Sequence, residues 1–302
     1  MRRWMMAAAA TFALGAVSPA EANLNAFACE PEWVALATEI GGDKISTYAA
    51  TTASQDPHQV QARPSLIARA RNADMSVCTG AELEIGWLPQ IALQTSNPKI
   101  QPGAATALEV ASFVNLMEVP SRLDRAQGDI HGAGNPHIQT DPNNILKIAK
   151  PLADRFAELD PANAKFYQTR LADFTKRWQD ALAKWKMQAA PLQGVQVAVE
   201  HQTWIYLETW LGMKRIVALE PKPGVPPSAG HLADVVQALQ KTPVKMVIRA
   251  VYEDPRPAQF ISERAHIPAV TLPYTIGGTD GAKNLFSLYD DTINRLLAAL
   301  KA

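Results

Sequence analysis

The chain has 302 residues, 47% of them apolar, and its 29 basic and 29 acidic side chains cancel. That balance excludes the basic footprint of a nucleic-acid binder and the charge asymmetry of a protein drawn to anionic lipid. The length suffices for one large domain or two ordinary ones.

Taken in chain order, the first signal is a leader. Arg2 and Arg3 precede an Ala-rich apolar run from Met5 to Val17, and Ala20-Glu21-Ala22 follows as a small-x-small cleavage site. This order predicts a secretory signal peptide over residues 1–22, because the run is too short for a membrane span. The mature protein is therefore expected outside the cytoplasm, in the periplasm. It has no later transmembrane segment and no Cys at the cleavage point to carry a lipid. Nothing demands more than a monomer. The two cysteines, Cys29 and Cys78, form an even pair in an oxidising compartment. A disulfide is favoured over thiolate metal ligation, which needs more Cys or His nearby than either has.

Ala26 to Cys29 reads as a short strand. Pro31 suits the first position of a helix with Trp33, Leu36, Ala37 and Ile40 on one face, closed by Gly41-Gly42. Ile45 to Thr52 reads as a strand, Pro64 to Asn72 as a helix and Met75 to Thr79 as a third strand. Asp160-Pro161 then opens a run to about Met187, with Leu171, Phe174, Trp178, Leu182 and Trp185 spaced by three and four. Such a helix would span roughly 39 Å, and a rigid spine fits it better than a coiled-coil arm of fewer than four heptads. Beyond Pro191 the alternation resumes. Val195, Val197 and Val199 mark a strand ending at Glu200-His201, and Leu232, Val235, Val236 and Leu239 line a helix. Val244 to Val251 and Ala269 to Leu272 are strands, and a last helix runs from about Lys283 to Leu300. Strands alternating with helices imply parallel βαβ units. The fold class is α/β: a lobe over 23–152, a linking helix over 153–190 and a second lobe over 191–302. Ligands of parallel sheets gather beyond the carboxyl ends of strands, so two facing lobes place a site in the cleft between them.

Six histidines follow the leader. His58 lies in a loop after the second strand, His137 in the turn-rich Gly134-Asn135-Pro136-His137 loop before a helix that starts near Asp141-Pro142, and His201 at the end of the Val195–Glu200 strand. All three stand where a cleft site would form, and neutral imidazole is the commonest zinc ligand. Their spacing matches no compact zinc motif. His131 reads as a solvent-exposed loop residue or an accessory ligand that receives metal. His231 reads as a residue near a helix cap, and His266 has no role.

Several segments occur together and in order: Asp56-Pro57-His58 with Gln61 and Pro64-Ser65, Asn135-Pro136-His137 with Asp141-Pro142, and Val199-Glu200-His201. Pro221-Lys222-Pro223-Gly224, Pro226-Pro227-Ser228 with His231-Leu232, and Gly277-Gly278-Thr279-Asp280 complete the set. In these the chain resembles the cluster A-I family of zinc and manganese solute-binding proteins, with its ZnuA-like and AztC-like zinc branch. The resemblance implies two Rossmann-like lobes bridged by one long helix, with Zn2+ in the interlobe cleft. It also implies a non-enzymatic role, capturing Zn2+ for an ABC-type import permease in the inner membrane. A periplasmic zinc metallochaperone is a further implied partner. The ligands carried over are His58, His137, His201 and, fourth, Asp280, with Glu200 or water as the alternatives and helix capping as the other use of Asp280. His in the third position favours zinc over manganese, because imidazole replaces a hard oxygen donor. The long His- and acid-rich loop that many zinc importers carry ahead of the second ligand is missing here. Three other readings stay open: a manganese binder, a binder of chelated metal or an organic ligand with Trp204 and Trp210 stacking on it, and a secreted zinc hydrolase with Glu200 as general base.

Overall fold

The computed structural model describes residues 23–302 except Leu123, Arg125 and Gln127. The expected signal peptide lies outside the described residues. Among them, no helix is long and apolar enough to cross a membrane.

The first sheet takes β1 (Leu24–Ala28), β2 (Ile45–Ala49), β3 (Met75–Cys78) and β4 (Ala107–Glu109) in the order β2-β1-β3-β4, every pair parallel. The second takes β5 (Gln196–Val199), β6 (Lys214–Ala218), β7 (Met246–Ala250) and β8 (Ala269–Leu272) in the matching order β6-β5-β7-β8, again parallel. Both central strands are buried, as parallel strands covered on both faces must be. In each sheet the chain turns to opposite sides of the first strand, and that reversal opens a crevice at the carboxyl ends.

Helices α1 (Pro31–Gly41), α4 (Pro142–Leu159), α5 (Ala164–Gln188) and α9 (Leu285–Leu300) lie between the sheets and share one apolar cluster with strands of both lobes. The remaining helices are α2 (Pro64–Arg71), α3 (Leu88–Thr95), α6 (Ile205–Leu211), α7 (Ala229–Lys241) and α8 (Pro255–Ala265). Of these, α2 and α3 cover the outer face of the first sheet and α7 and α8 that of the second, each pair over its own smaller cluster. The helix expected from Asp141-Pro142 is α4, and it packs along α5 as a second spine, so the 152/153 division falls inside it. Pro161 opens a short 3-10 turn rather than α5 itself, which begins at Ala164. Pro142 at the first position of α4 is preceded by Asp141, whose side chain accepts from Asn143 N.

Cys29, one residue past β1, and Cys78, the last of β3, sit on neighbouring strands and form a disulfide. Polar contacts also join the lobes. Tyr206 Oη donates to Asn135 O at 2.6 Å and accepts from Met117 N at 3.0 Å, and Tyr289 Oη donates to Gln139 O at 2.6 Å. Thr275 Oγ1 donates to Glu32 Oε2 of α1.

Candidate metal centre

His58, His137 and His201 meet in the cleft. Each offers one ring nitrogen, and these atoms lie within 4.8 Å of one another. Two nitrogens on one zinc at about 2.0–2.1 Å each stand no more than about 4.2 Å apart, so sub-ångström movements would seat an ion. The three rings come from three connections: the loop after β2, the loop before α4, and the carboxyl end of β5.

The other nitrogen of each ring is already engaged. His58 Nδ1 pairs with Asp56 Oδ1 at 2.8 Å, His137 Nδ1 with Tyr274 Oη at 3.0 Å, and His201 Nδ1 with Glu220 Oε2 at 2.6 Å. Nε2 of His58 and of His137 is buried with no hydrogen-bond partner. A buried ring nitrogen without a partner is costly in an empty cleft and is what a metal ligand needs. A partner on Nδ1 fixes the tautomer and turns the Nε2 lone pair toward the ion.

The electrostatics agree. Burial, joined by the charges of His58, His201 and His131, holds the His137 ring well below the usual imidazole range, so it stays neutral and able to ligate. Burial works to raise Asp56, but its hydrogen bonds and charge interaction with His58 prevail and lower it, keeping a carboxylate behind the ring. Glu200, next to His201, is pushed up to about 8 by burial, against the pull of Arg249 and with Glu220 and Asp254 adding to the rise.

The fourth position is less complete. Asp280 is exposed in the turn before α9 and does not join the three-ring group. Its alternative use as a helix cap is taken by Asn284, whose side chain accepts from Ser287 N while Ser287 Oγ accepts from Asn284 N. Glu200 also stays outside the group. His131 corrects the expectation of an exposed loop residue. It is half-buried, its ring centroid 5.3 Å from that of His58 and 6.5 Å from that of His137. Its loop bridges the lobes, with Gly132 N donating to Glu82 Oε2 and Asp129 N to Pro223 O. His231 sits in the first turn of α7, its backbone N–H donating to the capping Ser228 side chain. His266 ends α8 in the left-handed region. Trp204 is buried in the core and Trp210 packs edge-on to Trp185 and Tyr289, so core packing accounts for both.

Glu220 and Tyr274 escaped the sequence reading, though a register argument reaches the first. Val199 pairs with Ala218 across β5 and β6, so His201 and Glu220, each two residues further on, end side by side.

A model of the family "Zinc-uptake complex component A periplasmic" matches residues 27–301. The chain belongs to that family. Among curated proteins it is 22% identical over 255 residues to the manganese ABC transporter substrate-binding lipoprotein PsaA of Streptococcus anginosus, covering 83% of this chain and 79% of the relative. It is 23% identical over 241 residues to the PsaA of Streptococcus pneumoniae, covering 78% and 74%. The fold matches a solved ZnuA structure with a TM-score of 0.75 at 21% identity, over 91% of this chain and 99% of that one. A Mn-bound periplasmic metal binding protein from Candidatus Liberibacter asiaticus matches with a TM-score of 0.75 at 15% identity, over 92% and 100%.

Proposed function

We propose that this protein captures Zn2+ in the periplasm and delivers it to an ABC-type import permease, binding the ion without chemical turnover. The observation that carries the reading is the set of three imidazoles, each backed by a hydrogen-bond partner on Nδ1 and two with a buried, partnerless Nε2. Relatives named for manganese share the family, but three nitrogen donors favour zinc over an ion that prefers carboxylate and water. A competition titration tests this: one zinc per chain, displaced only by a large excess of manganese, is expected. Equal affinity for the two ions would overturn the choice of zinc.

Asp280 is proposed as the fourth ligand, brought in by closure of its turn. Tyr274, whose hydroxyl reaches His137, lies only six residues earlier in the chain. Between them, Gly277 adopts φ +84°, with space around it. One carboxylate would offset part of the ion's charge, and opening the turn would expose the ion for release. Asp280→Ala is expected to keep one zinc per chain but to weaken binding, by less than the loss of any of the three histidines. An unchanged affinity would give the fourth position to water.

Binding should also depend on pH with a definite sign. A ligating ring must be neutral, so protons compete with the ion and affinity falls as pH drops. Imidazoles ordinarily titrate near ~6.5, but His137 is held well below that range and has no proton to lose in mild acid. At most two rings then compete. The logarithm of affinity, followed by chelator competition, should fall as pH drops with a limiting slope below three per pH unit. A slope of three would show that His137 titrates with the others.

A further inference from the structure

Beside the three rings the cleft widens into a cavity of about 700 Å3, with His58 and His201 at its edge. Its wall carries the carboxylates of Asp56, Asp129, Glu200, Glu220, Glu253 and Asp254, against a single arginine, Arg256. Three of these acids are already occupied. Asp56 holds His58, Glu220 holds His201 and accepts from Gly224 N, and Asp254 pairs with Arg256 while capping α8.

Glu200 and Glu253 differ from the rest. Glu200 is only 5% exposed, and its Oε2 is buried without a hydrogen-bond partner. Glu253 accepts from Ala250 N through Oε2 at 2.6 Å, while its Oε1 is buried without a partner. Arg249 donates through Nη1 to the backbone oxygens of Ala250 and Glu253. A buried carboxyl oxygen without a partner is costly, and burial holds both acids above the usual carboxylate range despite the pull of Arg249, so a cation seated beside them would bind by displacing their protons.

We propose that Glu200 and Glu253 form a second cation site, which holds a hydrated divalent cation in the cavity next to the three-histidine centre. In the proposed site the two side chains give the oxygens and water completes the shell; among the described residues neither acid belongs to a group of three His, Cys, Asp or Glu ligand atoms within 4.8 Å. That donor set suits a hard ion that keeps several waters, whereas the three imidazoles suit zinc. The two sites therefore differ in donor chemistry, and each can be lost without the other.

The test is to saturate the mature protein with zinc and then titrate Mn2+, reading free Mn2+ by electron paramagnetic resonance and bound zinc by elemental analysis. One Mn2+ per zinc-loaded chain is expected. Glu253→Gln and Glu200→Gln should each weaken Mn2+ binding about tenfold or more. Both variants should retain one zinc per chain, which also shows that they fold. His137→Ala should bind zinc about 100- to 1,000-fold more weakly but keep its Mn2+. The proposal is overturned if zinc-loaded protein binds no Mn2+, if Mn2+ enters only as zinc leaves, or if neither glutamine variant weakens it. Loss of Mn2+ together with zinc in His137→Ala would place both ions at the three rings and overturn it equally.

Discussion

Replacing His137 with alanine should lower zinc affinity by about 100- to 1,000-fold. The estimate divides the roughly 10–16 kcal/mol of a four-ligand zinc site into about 2.5–4 kcal/mol per ligand, at about 1.4 kcal/mol per decade. His137 is the deepest of the three rings, 1% exposed, and the one that reaches across to Tyr274 of the C-terminal lobe. Its loss removes a donor and also strands the tyrosine hydroxyl. Two further variants separate those effects. Tyr274→Phe keeps the ligand and loses only the contact behind it, so it should cost about 10- to 100-fold at most. His58→Ala removes a donor of the same kind without touching Tyr274 and should fall in the His137→Ala range. Competition against a chelator of known affinity measures all three. If His137→Ala lost less than tenfold, three-histidine binding would be wrong, because the remaining pair could not hold the ion so well.

The sequence showed the three rings that meet in the cleft better than their supports. His58, His137 and His201 were readable because each follows a strand or precedes a helix at a place where parallel sheets gather ligands. Glu220 and Tyr274 carry no local signature, since their partners lie 19 and 137 residues away and are met only through sheet register and lobe packing. Asp280 was ambiguous for a physical reason, because an acid before a helix suits a cap as well as a metal. Only the geometry of Asn284 removes the cap. In the fold, strands such as Met75–Cys78 and Ala269–Leu272 stood out by apolar content. The three-residue β4 was too short for any period to show, and β6, opening on Lys214-Arg215, was too polar. The start of α4 at Asp141-Pro142 was readable, but its reach past Pro151, which the structure accommodates within the helix, was not.

Trp178→Ala should destabilise the protein by about 3–5 kcal/mol, among the largest effects of any single core truncation. The side chain is fully buried on α5. It stacks on Phe174 with ring centroids 5.1 Å apart and meets Phe286 and Tyr289 of α9 edge-on at 4.8 and 5.6 Å. Its Nε1 donates to Pro142 O at the start of α4 at 2.9 Å, a carbonyl that would lose this donor inside the core. One ring thus joins three of the four helices between the sheets, and α4 begins just past His137, so the same packing steadies the His137 loop. Trp178→Phe keeps part of the apolar contact but not the hydrogen bond, and should lie between wild type and alanine. Denaturant unfolding followed by circular dichroism should show the loss as a lower midpoint. Because the central cluster includes strands of both sheets, unfolding should remain a single transition, with zinc release at the same midpoint. Two separated transitions would mean that the lobes fold independently and that the ring joins them without coupling their stability.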